Sequence, residues 1–521
     1  MPSAHTAAAV RAAEQPLLDA GQGPELMQRA AHGLAVGVIA TLRARGAGIY
    51  GAKVVLLVGS GNNGGDALFA GAFLAGRGAG TTAILAGSRT HPEGLAAFEK
   101  AGGRWLALAA GAGGAGGATT VAGAATLAGA SDVVVDGLLG TGGRGGLRGP
   151  AAELVSLLQD VDGPGRSAVV ACDLPSGVDA TTGEVNEPVL RADLTVTFGA
   201  HKTGLLAAPG EHLCGTVELV DIGLGPYLAE PDVFRLSATD IASLLPDPGA
   251  ADHKYTRGVA GIIAGSAQYP GAALLATAAA SACGPGMVRY LGPTGVAAAI
   301  HVRNPEIVCS ELSPDAVRVQ AWLAGPGIDG DAEQLDRARM ALASGLPTVV
   351  DAGALGLVDA AAPNAHLVLT PHAGELAALF RRCGGGPDRA AIEASPLAAA
   401  RLAASLTGAV VLLKGPTTVV AEPAGTVFTQ ANGSARLATA GSGDTLAGIL
   451  VALLAMDTTA PGRAPGTAPD RATGPIRLAR TAALAAALHG ELSRQDPHRP
   501  LHAGMLAGRI PNVWARLAAS R

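Results

Sequence analysis

VGSGNNGGDALFAG, residues 58 to 71, follows the unbroken β-branched run KVVLLVG (Lys53–Gly59) and opens a helix-forming segment from about Gly65 to Gly76. A strand buried on both faces reads as a continuous apolar run, and a glycine-rich turn into a helix is how a doubly wound parallel sheet begins. Gly59, Gly61 and Gly64 match the GxGxxG spacing of a dinucleotide-binding turn. Yet Asn62, Asn63 and Asp66 stand among them. A hydride-transfer domain also expects an acid about 20 residues past the first glycine; here TTAILAG ends at Gly87–Ser88, with no carboxylate before Glu93. The loop either binds a dinucleotide, as cofactor or as substrate, or is a simple turn with local side-chain caps at Asn62 and Asn63.

Outward from this turn the grammar repeats. TTAILAG (Thr81–Gly87), SDVVVDGLLG (Ser131–Gly140), SAVVACD (Ser167–Asp173) and LTVTFG (Leu194–Gly199) are short apolar runs ending in polar or glycine turns. The Gly/Ala tract between Ala107 and Ala130 predicts a loose loop or weak helix. LLPDPGAADHKYTRG (Leu244–Gly258) separates the halves. Beyond it GVAGIIAGS (Gly258–Ser266) leads to a helix from Gly271, followed by the strands of AWLAGPG, PTVVDAG, HLVLTPH and AVVLLKG. A long apolar helix begins at Gly443, and the Pro/Gly/Ala-rich stretch 458–475 reads as a disordered surface insertion. Domains are placed at 1–225 and 253–521, with 226–252 a linker.

Composition narrows the function. Hydrophobic residues make up 49%, charged residues 15%, and net charge is −5, which argues against a nucleic-acid partner. The apolar runs 258–288 and 438–456 are broken by prolines or Asp444, and predict buried helices rather than membrane spans. The N-terminus has no basic region followed by an apolar core, so no signal peptide is predicted. Five scattered cysteines, without CxxC pairs, predict reduced thiols and a cytoplasmic protein. The five lysines are scarce enough that Lys202 and Lys414, both in glycine turns, draw the eye.

Ligands of open parallel sheets bind beyond the carboxyl ends of strands. In the first half those ends carry Asn62, Asn63 and Asp66, then Asp136, Asp173 and His201-Lys202. Asn63, Asp136 and the Ser176 hydroxyl are hard oxygen donors, suited to a group-1 or group-2 cation. Asp173 offers acid–base chemistry, with Lys202 a possible helper; turn or helix capping is the alternative for Asp136 and Asp173. In the second half, Gly441, Ser442 and Gly443 open an apolar helix with Asp444 in its first turn. Free N–H groups there make an anion hole, and the carboxylate can deprotonate a hydroxyl as phosphate approaches. Lys414 ends a strand where its charge can reach phosphate, and His372 stands directly before a helix.

VGSGNNGGDALFAG, VVDGLLGTGGRGG, CDLPSGVDATTG and TFGAHKTG together resemble the successive signatures of NAD(P)H-hydrate epimerase across residues 1 to 225. The resemblance implies a Rossmann-like three-layer αβα domain. In it Asn62, Asn63, Gly64, Gly65 and Asp66, with Gly140, Thr141, Gly142, Gly143, Arg144, Gly145 and Gly146, embrace a hydrated dinucleotide. It also implies that Asp173 contacts that ligand and that Asn63, Asp136 and Ser176 surround K+; Asp173 is the expected catalytic proton-transfer residue. Ala67 stands where that family usually has Gly. HKYTRGVAGIIAGSAQYPGAA, AGPG, TPHAGE, KG and AGSGD are similar, in order, to the NAD(P)H-hydrate dehydratase domain, which has a ribokinase-like α/β fold. This second resemblance implies that Ala272, Gly327, His372 and Asp444 contact the substrate, with Asp444 catalytic. It implies that Lys414, Gly415, Pro416, Thr417, Thr418 and Gly443 hold ADP or ATP, used with Mg2+. Ser442 stands where Thr is common. The dinucleotide is then the substrate: one domain interconverts the R and S hydrates, and the other dehydrates the S form. The expected partners are small molecules, with neither nucleic acid nor membrane, and the expected assembly is a homo-oligomer. The rivals are a ribokinase-like kinase of a small alcohol or vitamin precursor and a non-catalytic dinucleotide sensor.

Overall fold

The computed structural model describes the chain except residues 88, 110–116, 144, 160–165, 329, 458–473, 497 and 520–521. Two compact units are present, Ser3–Val233 and Phe234–Arg521, the latter also taking in Met1–Pro2.

In the first unit all neighbouring strands of one sheet run parallel, in the order Thr216–Val220, Leu194–Phe198, Ala168–Cys172, Val133–Gly137, Lys53–Val58, Gly80–Leu85, Arg104–Ala109 and Ala118–Thr120. The chain therefore starts mid-sheet at Lys53–Val58, winds out to one edge, then returns to build the other. The switch lies between Lys53–Val58 and Val133–Gly137, paired Leu57 to Asp136 and Val58 to Gly137. Side-chain alternation explains the two helical layers. Val54, Leu56 and Val58 join the core under helices Gly23–Ala44 and Asn62–Ala75, while Val55 and Leu57 join that under Val121–Gly129 and Gly149–Gln159.

The helix after the first strand starts at Asn62, earlier than the sequence predicts. Its N-cap, Gly61, makes no side-chain cap, so the asparagines stand inside the first turn with their amides free for other work. Close approach dictates the glycines. A Cβ on Gly59 would lie 1.9 Å from Leu138 O, and one on Gly64 2.2 Å from Gly59 O. The Gly/Ala tract holds the expected helix but also strands that were not expected. Its described residues form the end of strand Arg104–Ala109, strand Ala118–Thr120 and helix Val121–Gly129, and residues 110–116 lie outside the description. Thr120 caps that helix by accepting from Gly123 N at 3.1 Å, and Val121, Ala124 and Ala128 bury one face. That spacing, hidden among small residues, is the physical reason it orders.

In the second unit the strands Val308–Ser310, Met287–Leu291, Val259–Ile263, Ala321–Ala324, Thr348–Val350, Leu367–Leu369 and Val410–Leu413 are parallel neighbours. Thr418–Ala421 and Val427–Gln430 extend the sheet antiparallel. Helices Pro270–Ala282, Ser442–Asp457, Pro475–Arg494 and Leu506–Ala518 cover one face in a single core. Every residue from Thr445 to Met456 is buried, which is why that run is apolar all round. No helix of the described residues is long and apolar enough to cross a membrane. Within 226–252 a capping box of Ser237 and Asp240 starts helix Ala238–Leu244, whose Ile241 enters this core. Of the stretch 458–475, only Gly474 and Pro475 are described.

Candidate active sites

The switch point of the first unit opens into a cavity of about 660 Å³. Gly59, Asn62, Asn63, Asp66, Gly140, Thr141, Gly142, Gly143, Gly146, Asp173 and Lys202 line it, along with Arg11 and Glu14. Gly64, Gly65 and Gly145 are not among its walls, and Arg144 lies outside the described residues.

Asp173 follows strand Ala168–Cys172 in the left-handed region, at φ 69°. Asp tolerates that conformation better than most residues. Its Oδ1 is ion-paired with Lys202 and accepts from Thr197 Oγ1 at 3.1 Å; its Oδ2 accepts from Thr141 N at 3.1 Å and from the Thr141 hydroxyl. Lys202 is buried and also donates to Thr197 Oγ1 at 3.0 Å and Phe198 O at 2.9 Å. Burial alone would raise the Asp173 pKa, but the Lys202 charge and the hydrogen bonds from Lys202 and Thr141 outweigh it and hold the group below its ordinary value. Arg11 Nη1 donates to Thr141 O at 2.9 Å, tying helix Ala7–Asp19 to the glycine loop. Glu14 of the same helix has a raised pKa, from burial first and then from Asp173, with Lys202 and Arg11 opposing. Sequence reasoning missed Arg11 and Glu14, since neither is set off from ordinary residues of an amphipathic helix.

Behind the cavity wall Asp136 is fully buried. It accepts from Ser176 Oγ at 2.6 Å, Ser176 N at 2.9 Å and Leu138 N at 3.3 Å, all neutral donors, and burial pushes its pKa up. The Ser176 hydroxyl in turn accepts from Leu139 N at 2.8 Å. A Cβ on Gly140 would sit 2.8 Å from Asn63 Oδ1, and Asn63 Nδ2 is buried with no partner among the described residues. A buried carboxylate with no ammonium or guanidinium in its hydrogen-bond shell, with the Ser176 hydroxyl on it and the Asn63 amide in a neighbouring turn, has the oxygen-donor chemistry of an alkali-cation site. Among the described residues no group of three or more His, Cys, Asp or Glu could hold a metal ion.

The second unit gathers its own cluster. Lys414, at the end of strand Val410–Leu413, ion-pairs with Asp351 Oδ1 at 2.8 Å and Glu375 Oε2 at 3.7 Å. Thr370 Oγ1 donates to the same Asp351 oxygen at 2.8 Å. Burial works against the Lys414 charge, but Asp351 and Glu375 outweigh it and raise its pKa. A Cβ on Gly443 would lie 3.5 Å from Lys414 Nζ, which puts the ammonium at the start of helix Ser442–Asp457. Asp444, in that first turn, is pushed up to about 6 by burial, then by Asp351 and Glu375, against Lys414. The Ser442 hydroxyl meets His489 Nε2 at 3.1 Å; burial lowers that imidazole to about 4, so it stays neutral at physiological pH.

Helix Pro270–Ala282 forms another wall. Leu275 lies against Gly441, and Ala272, a turn earlier, lies against Gly327 at φ 67°. His372 is the N-cap of helix Ala373–Arg382, its Nδ1 accepting from Glu375 N at 3.1 Å, and its side chain is 60% exposed. Lys414 N donates to Pro371 O at 2.9 Å, so the His372 and Lys414 turns are adjoining. Gly415 and Pro416 are exposed beside buried Thr417, and Thr418 opens the next strand. A larger cavity, about 840 Å³, opens by Pro347 and Leu367 at the amino ends of strands and shares no residue with this cluster. Asp351, Glu375 and His489 went unread in the sequence. Asp351 had a signal, a carboxylate directly after TVV; His489 had a weaker one, a lone His in an apolar helix.

Residues 260–513 match the family model described as NAD(P)H-hydrate dehydratase, and residues 23–204 that of the YjeF-related protein N-terminus. The chain is 44% identical over 455 residues to the bifunctional NAD(P)H-hydrate repair enzyme Nnr of Mycobacterium tuberculosis H37Rv, covering 86% of this chain and 88% of that one. It is 32% identical over 589 residues to the enzyme of the same name from Corynebacterium glutamicum, covering 98% of each. Among solved structures, the ADP/ATP-dependent NAD(P)H-hydrate dehydratase of Bacillus subtilis, co-crystallized with ATP/Mg2+, is 26% identical with a TM-score of 0.44, covering 54% of this chain and 97% of that one.

Proposed function

The chain belongs to the bifunctional NAD(P)H-hydrate repair enzymes, and from that premise we propose how its two pockets divide the work. It repairs hydrated NADH and NADPH: one unit epimerises the R and S hydrates, and the other dehydrates the S hydrate at the expense of ADP or ATP. The observation that supports the division is that the residues of the first cluster, Arg11 to Lys202, lie in one unit and those of the second, Ala272 to His489, in the other.

Water adds to the enamine double bond of a dihydronicotinamide so that the hydroxyl stands on the carbon bonded to the ring nitrogen. In the first unit the backbone N–H groups of Gly142 and Gly146 and of the helix start at Asn62 are offered to the pyrophosphate. Asp173, held ionised by Lys202, fixes the ligand's orientation. K+, when bound by Asn63, Asp136 and Ser176, would supply the positive charge that Asp136 lacks and brace both loops. In the second unit the first turn of Ser442–Asp457 holds the transferring phosphate and Lys414 steadies the nucleotide's charge. Asp444 takes the proton of the substrate hydroxyl as the nucleotide's terminal phosphoryl passes to that oxygen; the phosphate then leaves with the C–O electrons, the neighbouring carbon loses a proton to solvent, and the ring double bond reforms. Mg2+ would offset phosphate charge when the nucleotide binds. Ala272, Gly327 and His372 would shape the substrate wall, and Gly415 to Thr418 with Gly443 the nucleotide wall.

We place the chain in the cytoplasm as a homo-oligomer acting on small molecules; five free cysteines accord with a reducing compartment, and light scattering tests the assembly. The direct test of function is to mix the full chain with NADH hydrate of known epimer composition, Mg2+, and ADP or ATP, and follow the nicotinamide absorbance. Recovery of both epimers is expected. Recovery of neither, with phosphorylated small alcohols accumulating instead, would favour a kinase.

A further inference from the structure

Epimerisation needs a group that gives and takes protons, and Asp173 is badly placed for it. Lys202 Nζ and Thr197 Oγ1 occupy its Oδ1, and Thr141 N and Oγ1 occupy its Oδ2. A carboxylate held by four donors is an anchor. The same cavity contains a second carboxyl, Asp66, 9% exposed in helix Asn62–Ala75. Among the described residues no hydrogen bond or ion pair engages its carboxyl. As a wall of the cavity with no protein group engaging it, this carboxyl is left open to a bound ligand, whereas that of Asp173 is not.

We propose that Asp66 is the proton carrier of epimerisation, acting as a neutral carboxyl, with Asp173 the fixed anion beside it. This rests on the reading of the first unit as an epimerase. Burial, with Asp173 and Glu14 adding to it and Lys202 opposing, pushes Asp66 well above the ordinary carboxyl range.

The chemistry balances on that one group. To open the ring, the substrate hydroxyl gives its proton to the carbonyl oxygen of Asp66. The oxygen's electron pair closes a C=O bond, the carbon–nitrogen bond breaks, and its electrons go to nitrogen. Nitrogen takes the proton from the hydroxyl of Asp66. The acid ends neutral, with its two oxygens exchanged in role. The aldehyde turns about its single bond to the next carbon and presents its other face. Nitrogen attacks, and the same transfers in reverse give the opposite epimer, with no net proton gained or lost.

The test uses the full chain carrying Asp66→Asn or Asp66→Glu. Recovery of purified R hydrate is compared with dehydration of purified S hydrate, which reads the second unit. For Asp66→Asn the kcat ratio of R recovery to S dehydration is expected to fall about 100-fold or more, with KM for the R hydrate changed by only a small factor. Asp66→Glu, which keeps a carboxyl, is expected to regain part of that loss. A wild-type ratio in Asp66→Asn would overturn the proposal. So would a loss carried wholly by KM, which would make Asp66 a binding group. If Asp66→Asn does not fold, the Glu variant decides, and its lack of turnover while folded and able to bind NADPH would refute proton transfer. Failure of the wild-type chain to interconvert the epimers would instead overturn the epimerase reading itself, before any variant is made.

Discussion

Lys202→Met removes an ammonium while nearly keeping the side chain's length. Lys202 and Asp173 have side chains only 2% and 9% exposed, so the variant leaves a carboxylate buried with hydroxyls and one backbone N–H for company. Removing one member of a buried pair costs about 3–5 kcal/mol. In a unit of this length each kcal/mol moves the thermal midpoint by about 2–4 °C, so the first unit's transition should fall by about 6–20 °C at neutral pH. In the wild type the Asp173 pKa is depressed, so its contribution is present above the ordinary carboxylate range and lost as pH falls through the folded value. Without Lys202, burial dominates and raises that pKa above its unfolded value, so the variant's penalty shrinks on acidification as Asp173 takes a proton. Wild type and variant should converge towards low pH. Asp173→Asn on top of Lys202→Met removes the stranded charge, and Asn also tolerates the φ of 69°. Scanning calorimetry of the full chain at several pH values reads all three proteins. A Lys202→Met midpoint equal to wild type at neutral pH, or a double variant less stable than the single one, would refute the reasoning.

Dehydration of the S hydrate should gain kcat/KM as pH rises through about 6, the value to which Asp444 is raised, and level off above it; a flat acid limb would contradict Asp444 as the base. Asp444→Asn should slow dehydration by about 10²–10⁴-fold, and loss of epimerisation with it would argue against separate sites. His489→Leu and Ser442→Ala should each slow dehydration, and the double variant should be no slower than the worse single, because one 3.1 Å contact links them; additive losses in the cycle would separate the two residues. Saturating K+, against choline, should stabilise the first unit by about 2.7 kcal/mol at 100 times Kd, and Asp136→Asn should abolish the response; an equal response in that variant would place the ion elsewhere.

The doubly wound sheet was legible because Val54 to Val58 are apolar on both faces, and Gly59 and Gly64 sit where only glycine fits. Asp173, Lys202, Lys414 and Asp444 were legible as polar residues at strand ends or a helix start. What stayed hidden depends on contacts distant in sequence. Arg11 reaches Thr141, and Glu14 feels Lys202 and Asp173, but their own helix says nothing of either. That Asp173 is saturated while Asp66 is unpartnered appears only once Thr141, Thr197 and Lys202 converge. Asp351 was within reach of the strand-end rule, but its meaning depends on Lys414, 63 residues away. Edge strands such as Thr216–Val220 and Val308–Ser310 escaped for a different reason: they are short and half exposed, with no unbroken apolar run to betray them.

Because the two clusters lie in separate units of one polypeptide, every ribosome that completes the chain delivers one copy of each activity. The cell has no means of adjusting their relative amounts through expression. Any mismatch between arrival of the wrong-handed hydrate and clearance of the right-handed one has to be absorbed by turnover numbers, which leaves the supply of adenine nucleotide as an external control.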